Sequence, residues 1–483
     1  MSTTELPRLQ SGTGRWILLA TILGSSVASL DATVVNIALP RIGESLETDV
    51  AGLQWTLNGY TLTLASFILL GGSLGDKLGR RRVFVSGTIA FAIASVLCGA
   101  ATTIEMLVAA RILQGVAGAM LMPGSLALIS SSIDQRDQGA AIGLWSGFGG
   151  VAGAFGPFLG GWLIDLAGWR SIFFLNVPLA VVVVLVALRH VPESRDPNAA
   201  TRLDVPGALV VALALGALTL GLIDTMPLLI VAGVALLAAF VLIELRSDHP
   251  LVPPALFGSR VFTAANLVTF AVYAALGGVF FLLVLELQLV AGYSPLMSGV
   301  ATVPITLIML LLSAPAGRWA QAHGPRIPMT AGPLLAAAGL VLLLRIGPET
   351  TYFTDVLPGV LVFGLGLAVL VAPLTGAVLG AVPASEAGIA SGVNNAVART
   401  AQLLAVAALP GLAGISGALG DPAAFDDGFA TAMWLCVGLL VLGAMLAAVL
   451  LRPERRPATL DNVDCMPQCA VAGPALAPAS TEK

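Results

Sequence analysis

Long apolar runs separated by short polar segments dominate this chain. A helix needs about 20 mostly apolar residues to cross a bilayer. Fourteen such runs can be counted, near residues 16–40, 53–74, 83–101, 106–129, 139–163, 172–189, 205–223, 227–245, 262–289, 297–320, 327–344, 353–379, 387–411 and 428–451. The pattern predicts an all-α integral membrane protein with fourteen transmembrane helices.

Composition excludes several classes of protein. Hydrophobic residues make up 57% of the chain and charged residues 10%, against about 25% charged in a soluble domain. The few bases form no basic face, so no nucleic-acid partner is expected. His190, His249 and His323 show no paired metal-ligand spacing, and no nucleophile motif occurs. We therefore expect neither a metal site nor an enzyme.

The most informative polar segment is Gly72-Ser-Leu-Gly-Asp-Lys-Leu-Gly-Arg-Arg-Arg82, between the second and third runs. Hydrocarbon excludes such a charge cluster, and excess Lys and Arg in a short loop marks the cytoplasmic side. With both termini cytoplasmic, 18 of the 23 bases fall on that side, which fixes the predicted topology. Glycines allow close helix packing and a sharp turn. The expected gating-loop residues are Gly72, Gly75, Asp76, Lys77, Gly79, Arg80 and Arg81.

This run resembles the signature loop of the major facilitator superfamily. The spacing of Gly72, Asp76, Gly79 and Arg81 returns at Gly317, Gln321, Gly324 and Arg326. The resemblance implies two six-helix bundles that rock about a central site, and fourteen spans point to the drug/proton antiporter branch of multidrug resistance efflux type, with two inserted helices. The expected division is a cytoplasmic segment 1–15, a first bundle 16–190, a linker with the two extra helices 191–261, a second bundle 262–452 and a disordered cytoplasmic tail 453–483.

Two charged residues within the predicted spans are the candidates for proton coupling. Leu30-Asp-Ala-Thr-Val-Val-Asn-Ile-Ala-Leu-Pro40 is similar to the branch signature in span one, and Arg111-Ile-Leu-Gln-Gly115 to a motif in span four. A carboxylate at the depth of Asp31 costs about 2.5–3.5 kcal/mol, so it needs a wet cavity or a partner. The resemblance implies that Asp31 and Arg111 couple proton movement to transport. The alternatives are a packing acid bonded to a hydroxyl, and an arginine that snorkels outward.

Span five contains Gly149, Gly153, Gly156, Pro157, Gly160 and Gly161, which resemble the motif that distinguishes antiporters. The spacing puts Gly149, Gly153, Gly156 and Gly160 on one face, and this face is expected to pack closely and seal the cavity. Gly161, about 100° around the helix, is expected to tolerate a methyl group better. Ordinary helix packing is the alternative.

Other polar residues within the spans are candidates for a substrate cavity. An acid near aromatic residues suits a lipophilic cation, but Glu286 also fits an ordinary interface position. The candidates are Asn36, Gln114, Tyr273, Glu286, Asn394, Asn395 and Arg399.

Together these features predict a proton-coupled antiporter that exports small amphipathic or cationic drugs and antibiotics. It would use the proton motive force without a bound cofactor, in the plasma (inner) membrane of a bacterium, with protons, a small-molecule substrate and the lipid bilayer as partners, and as a monomer. An exporter of a single metabolite or self-made antibiotic is the alternative within the class. A non-transporting membrane sensor or a membrane enzyme lies outside it.

Overall fold

The computed structural model describes residues 7–196, 204–247, 250–383, 386–415 and 420–451. The described residues belong to one compact unit, Met1–Leu451. The predicted disordered tail, 453–483, and His249 lie outside the described residues.

The described part is helical throughout its long elements and contains no strand. Helix α6 is interrupted by a turn at Leu175, and single helical turns, Pro254–Gly258 and Tyr352–Val356, precede α9 and α12. The long helices are α1 Gly12–Leu46, α2 Val50–Leu78, α3 Arg80–Gly99, α4 Ile104–Ser132, α5 Gln135–Ala167, α6 Ser171–His190, α7 Val205–Ile223, α8 Pro227–Glu244, α9 Arg260–Leu289, α10 Pro295–His323, α11 Arg326–Leu343, α12 Leu357–Gly380, α13 Ala387–Leu412 and α14 Pro422–Leu450.

Twelve of these helices, within the described residues, are long and apolar enough to cross a membrane. The predicted count of fourteen crossings is not reached by this measure, because α5 and α13 fall outside it. In α5 only the shorter stretch Phe155–Ala167 qualifies as apolar. Helix α13 carries Asn394, Asn395 and Arg399, which make it more polar than its neighbours.

Local sequence explains where several helices begin. Ser11, Asp49, Thr103, Ser259 and Ser294 each accept a hydrogen bond from a backbone N–H in the first turn of the helix that follows. Such caps satisfy donors that a helix start leaves free, and each stabilises it by about 1 kcal/mol.

The segment before α1 is anchored to the start of α5. Arg8 Nε donates to Asp137 at 2.8 Å, and the backbone N–H of Leu9 donates to the same carboxylate. This hydrogen bond raises the pKa of the exposed Arg8 guanidinium. The start of α1 therefore lies beside the start of α5.

The helices form two groups with the same packing pattern. In the first group α4 packs on α2 and α3, while α1 packs on α5 and α6, and α3 also packs on α6. In the second group α12 packs on α10 and α11, while α9 packs on α13 and α14, and α11 also packs on α14. We call α1–α6 the first bundle and α9–α14 the second bundle.

The bundles meet through two helix pairs that the repeat relates to each other. Helix α5 packs on α10, and α2 packs on α13. Helices α7 and α8 pack on each other, and α7 also contacts α2 and α13. The inserted helices therefore lie beside one of the two seams between the bundles.

The two ends of the bundles differ in how tightly they are joined. Helices α2 and α10 end at Gly79 and Gly324, and we call this end of the molecule the Gly79 end. We call the opposite end, where α5 ends, the Asp165 end. Near the Asp165 end, Val35, Leu39 and Ile42 of α1 share one hydrophobic core with the second bundle. Nearer the Gly79 end, the first bundle has a separate core, which includes Ile17 and Val183. The bundles are thus closed against each other at the Asp165 end.

Candidate functional site

Asp31 of α1 lies at the centre of a buried polar cluster. Arg111 Nη1 contacts its Oδ2 at 2.5 Å, and both side chains are only 1% exposed. Gln114 Nε2 and Asn176 Nδ2 donate to Oδ1 at 2.9 and 3.0 Å. Both amides also reach Ser95 Oγ on α3, at 2.7 and 3.1 Å. Helices α1, α3, α4 and α6 therefore converge on one carboxylate.

Arg111 of α4 is held on every side. Its Nε donates to the Thr56 carbonyl of α2 at 3.1 Å, and Nη1 also donates to Gln114 Oε1 at 2.7 Å. The guanidinium stands 4.4 Å from the centre of the Tyr60 ring and 6.0 Å from that of Phe173. A cation over an aromatic face gains electrostatic stabilisation, more so when it is desolvated. The cluster thus includes a fifth helix, α2.

The geometry decides between the structural alternatives for these two residues. Arg111 does not snorkel outward, because it is buried and paired. Asp31 is not bonded to a neighbouring hydroxyl; it accepts from a guanidinium and two amides, all of which favour the ionised carboxylate. Sequence reasoning missed Thr56, Ser95 and Asn176, since nothing along the chain relates them to Asp31.

Most of the gating-loop motif is helical, so the loop expected between the two spans is reduced to a turn at one residue. Helix α2 continues to Leu78, and Gly79 alone separates it from α3. Gly79 has φ 122°, a conformation that residues with a side chain rarely adopt. Gly72 and Gly75 make only ordinary contacts, and the close approach to α4 falls instead on Gly71, where an added Cβ would collide with the Ala119 carbonyl.

Asp76 and Arg80 form an ion pair one turn apart, with Arg80 Nε 2.8 Å from Asp76 Oδ1. Both are partly exposed, so the pair contributes at most about 0.5 kcal/mol to stability. Lys77, beside them, is exposed and also has an interaction partner. The Asp76–Arg80 ion pair therefore contributes little to the stability of the fold.

A strap formed by residues 191–196, directly after α6, lies across this loop. Glu193 Oε1 accepts from the backbone N–H of Arg81 at 3.1 Å, and its other oxygen lies 3.8 and 3.7 Å from the Arg81 and Arg82 guanidiniums. Arg80 N donates to the Ser194 carbonyl, and Asp196 N to the Asp76 carbonyl. Sequence reasoning did not find this strap.

The repeated loop of the second bundle keeps part of this arrangement. Gly324 ends α10 with φ 88°, as Gly79 ends α2. Arg326 Nε donates to the Ala448 carbonyl near the end of α14, and Arg81 Nη1 donates to the Val191 carbonyl just after α6. The spacing noted in the sequence therefore corresponds to a structural repeat.

The span-five glycines serve two different helices. An added Cβ on Gly156 would collide with Thr33, and one on Gly160 would lie 2.5 Å from Val34, so both positions face α1. A Cβ on Gly161 would lie 2.6 Å from the Leu296 Cα of α10, in the other bundle. Gly299 of α10 in turn faces the Pro157 carbonyl, which stands too close for any side chain there.

This arrangement contradicts two expectations. Gly161 is not the tolerant position, because it faces backbone atoms that cannot move aside as a side chain can. Gly153 has nothing within 4 Å of an added Cβ, so it takes no part in a tight face. Gly149 lies in α5, but its surroundings are outside the described residues.

Hydrogen bonds join the bundles at three places near the Asp165 end. Gln54 Nε2 of α2 donates to the Val406 and Ala407 carbonyls of α13, at 2.6 and 3.0 Å. Gln288 Nε2 of α9 donates to the Ile37 carbonyl of α1 at 3.0 Å. Asp165 of α5 accepts from the Leu296 N–H, in the first turn of α10, at 3.3 Å. Each must break if this end opens.

The candidate cavity residues differ in their burial and in their hydrogen bonds. Asn394 donates to Asn266 Oδ1 and Thr269 Oγ1, at 3.1 and 2.8 Å, inside the second bundle. Gln114 and Glu286 are both 0% exposed and so line no open cavity in this conformation. The remaining candidates are exposed at Asn395 and half-buried at Asn36, Tyr273 and Arg399.

Among the described residues, no group of three or more His, Cys, Asp or Glu side chains is placed to hold a metal ion. What the geometry offers instead is a buried ion pair inside one of two repeated helical bundles. This combination defines a class, the membrane transporters built from structurally repeated halves.

The chain belongs to the Major Facilitator Superfamily, whose profile matches residues 21–406 and 265–464. It is therefore a multi-pass membrane protein. It is 36% identical over 460 residues to the puromycin resistance protein Pur8 of Streptomyces alboniger. The aligned region covers 90% of this chain and 91% of the relative. It is 35% identical to the multidrug resistance protein Stp of Mycobacterium tuberculosis, over 78% of this chain and 72% of the relative.

Solved structures agree on the fold. The inward-facing, occupied structure of a bacterial homologue of the human lysosomal transporter Spinster superposes with a TM-score of 0.67. It covers 92% of this chain and 98% of its own, at 16% sequence identity. This likeness concerns the fold alone.

Proposed function

We propose that this protein is a proton-coupled antiporter that exports small amphipathic or cationic drugs by alternating access. The observation that carries the proposal is the buried Asp31–Arg111 pair, which five helices of the first bundle hold together. A charge pair at this depth is expensive and marks function by default. The named relatives, a puromycin resistance protein and a multidrug resistance protein, support drugs as the cargo.

The Gly79 end is assigned to the cytoplasm, together with both termini. The basic loop at this end supports the assignment, because short cytoplasmic loops carry an excess of Lys and Arg. If α5 and α13 also cross the plasma membrane, together with the other twelve long helices, the chain has fourteen spans. The closed Asp165 end corresponds to an inward-facing state of a bacterial exporter.

In this state three donors surround the Asp31 carboxylate. An exporter that exchanges drug for protons has released its proton to the cytoplasm when it faces inward. Protonation of Asp31 from outside would remove its attraction for Arg111 and loosen the joint between α1 and α4. Rocking of the two bundles of one chain against each other would require no second chain, which supports a monomer.

The alternative within the class is a dedicated exporter of one compound. The puromycin resistance relative, named for a single antibiotic, favours this reading. The number of different compounds that the protein exports distinguishes a dedicated exporter from a multidrug exporter.

The proposal is tested with the full chain in a bacterial host that lacks its own drug pumps. We expect raised resistance to puromycin and to ethidium, a cationic dye, and pH-gradient-driven ethidium efflux from proteoliposomes. Glu44→Gln, at an exposed acid paired with Arg41, is the matched control that should export normally. Resistance to puromycin alone would indicate a dedicated exporter, and absence of resistance and of flux would reject export.

A further inference from the structure

The second bundle contains a buried acid that the proposed coupling mechanism does not use. Glu286 lies on α9 near the Asp165 end and is 0% exposed. Neither of its carboxyl oxygens has a hydrogen-bond partner among the described residues. Its neighbours along the helix, Leu283, Leu285 and Leu287, are buried as well. An ionised carboxylate in such surroundings would be very unfavourable.

A second acid strengthens this conclusion. Asp426 of α14 lies beside Glu286 and is the charged group that acts on it. Asp426 is partly exposed and therefore in contact with solution at the Asp165 end. Two neighbouring carboxyl groups with no base between them cannot both ionise without cost.

The other charged groups on elements packed against α9 are engaged elsewhere. Arg41 of α1 pairs with Glu44, and Asp355 of the turn before α12 lies 3.7 Å from Arg345. Arg399 of α13 reaches Gln402, and Asp427 of α14 is exposed. Helix α10 carries no charged residue before Arg318, and α12 carries none. Within the part of the chain that the structure describes, no cation on these elements is therefore placed to neutralise Glu286.

The residues of α9 on the helix turns around this acid, Leu282, Leu283 and Val290, belong to the hydrophobic core that the two bundles share near the Asp165 end. Two residues further along α9, Gln288 makes the hydrogen bond to the Ile37 carbonyl of α1 that joins the bundles. If that joint opens, water reaches the Glu286 carboxyl, and the penalty on its ionised form falls. The closed state then binds one proton more than the open state, and acidity on that side favours closure.

We propose that Glu286 is a second proton-binding site, filled when the Asp165 end is closed and emptied to the outer solution when that end opens. The inference rests on the proposed alternating access, but it does not depend on which compound is exported or on Asp31. In an exporter, closure of the outer side would thus take up a proton from outside.

The test measures opening of the Asp165 end directly. Spin labels are placed at Ser45, at the end of α1, and at Ala423, at the start of α14, both exposed. The labels are introduced into a variant of the full chain in which Cys98, Cys436, Cys465 and Cys469 are replaced. This variant is reconstituted in nanodiscs. Distances are measured by double electron–electron resonance from about pH 5 to about pH 9, the range over which a perturbed carboxyl can titrate.

With native Glu286 we expect the short distance at low pH and a growing long-distance population as pH rises. Glu286→Gln should hold the short distance across the whole range, because its amide cannot ionise. Asp426→Asn should shift the midpoint to lower pH, because it removes the charge that favours the protonated form. Glu44→Gln, an exposed acid at the same end, should leave the native response unchanged.

The proposal is overturned if Glu286→Gln keeps the native pH response, or if the native protein shows no response in this range. Asp426→Asn gives an independent test should the glutamine variant not fold, and an unshifted midpoint in it would also overturn the proposal. Drug flux plays no part in this readout. A failure of the export proposal and a failure of this one are therefore distinguishable.

Discussion

The two bundles repeat the same helix packing but treat their buried acids in opposite ways. Asp31 lies on α1 and Glu286 on α9, and the repeat relates these helices. Asp31 accepts from Arg111, Gln114 and Asn176, whereas Glu286 accepts from no described residue. Both are nearly inaccessible to solvent. Burial alone therefore does not set the charge of a carboxyl group; the donors that neighbouring helices bring to it do.

The loops at the Gly79 end show a similar contrast. In each loop the preceding helix ends at a glycine with positive φ. In each loop an arginine donates to a backbone carbonyl at the end of the sixth helix of the same bundle. Only the first loop has an acid, Asp76, where the second has Gln321. Only the first is described with an acidic strap residue, Glu193, against it. The repeat preserves the backbone, and the first bundle adds the charges.

The largest expected effect comes from breaking the charge pair of the first bundle. Asp31→Asn leaves Arg111 as a buried, unpaired cation, and loss of one partner of such a pair costs about 3–5 kcal/mol. We expect a large fall in thermal stability in detergent and loss of pH-driven ethidium efflux. Glu286→Gln, the matched change in the second bundle, should lose little stability because the carboxyl it replaces is already neutral.

The double variant Asp31→Asn, Arg111→Gln sharpens this prediction. It removes both charges, so much of the lost stability should return while proton-driven efflux stays absent. If Asp31→Asn and Glu286→Gln destabilised the protein equally, the contrast between the two acids would be wrong.

The second largest effect is expected where the bundles meet. Gly161→Ala would force α5 away from the α10 backbone and open the seal at the Asp165 end. Proton leak and ethidium efflux in vesicles at matched expression measure the damage. Gly153→Ala, on the same helix with open space around it, is the control and should behave as the native protein. Equal behaviour of the two variants would contradict the assigned seal.

A smaller effect should distinguish the two loops. Gly79→Ala and Gly324→Ala both place a side chain at positive φ, which costs about 1–3 kcal/mol. At Gly79 an added Cβ would also lie 2.6 Å from Glu193 Oε1, while Gly324 has open space. Gly79→Ala should therefore lower the melting temperature more. Combining it with Glu193→Ala should remove the difference, and its persistence would show that the strap is not the cause.

The smallest effect on stability is expected at Asp76. Asp76→Asn breaks a partly exposed ion pair with Arg80, worth at most about 0.5 kcal/mol. We nevertheless expect the transport rate to fall while the apparent affinity for ethidium stays the same, because the loop lies away from the middle of the bundles. Gln321→Ala at the repeated position is the control and should change neither value. A drop in affinity at an unchanged rate would assign Asp76 to binding instead.

Local sequence determined much of this protein. Apolar runs are long because each helix must hide its backbone from lipid, so the helices could be located from the chain alone. The cap residues Ser11 and Asp49 and the turn glycines Gly79 and Gly324 act on their own neighbours, so they too could be read directly. The same holds for Asp31 and Arg111 as costly charges, since their expense depends on depth in the span.

Tertiary structure alone decided what these residues touch. Thr56, Ser95 and Asn176 come from three other helices, and no spacing along the chain relates them to Asp31. The contrast between Gly161 and Gly153 depends on where α10 lies, not on the pattern within α5. Glu286 and Asp31 look alike as isolated acids in apolar runs, and only the packing gives one a guanidinium and the other a second carboxyl. Hydrophobic pattern fixes which segments are buried, but hydrogen bonds and charge pairs act over a few ångströms between helices, so their partners are set by the packing of those helices.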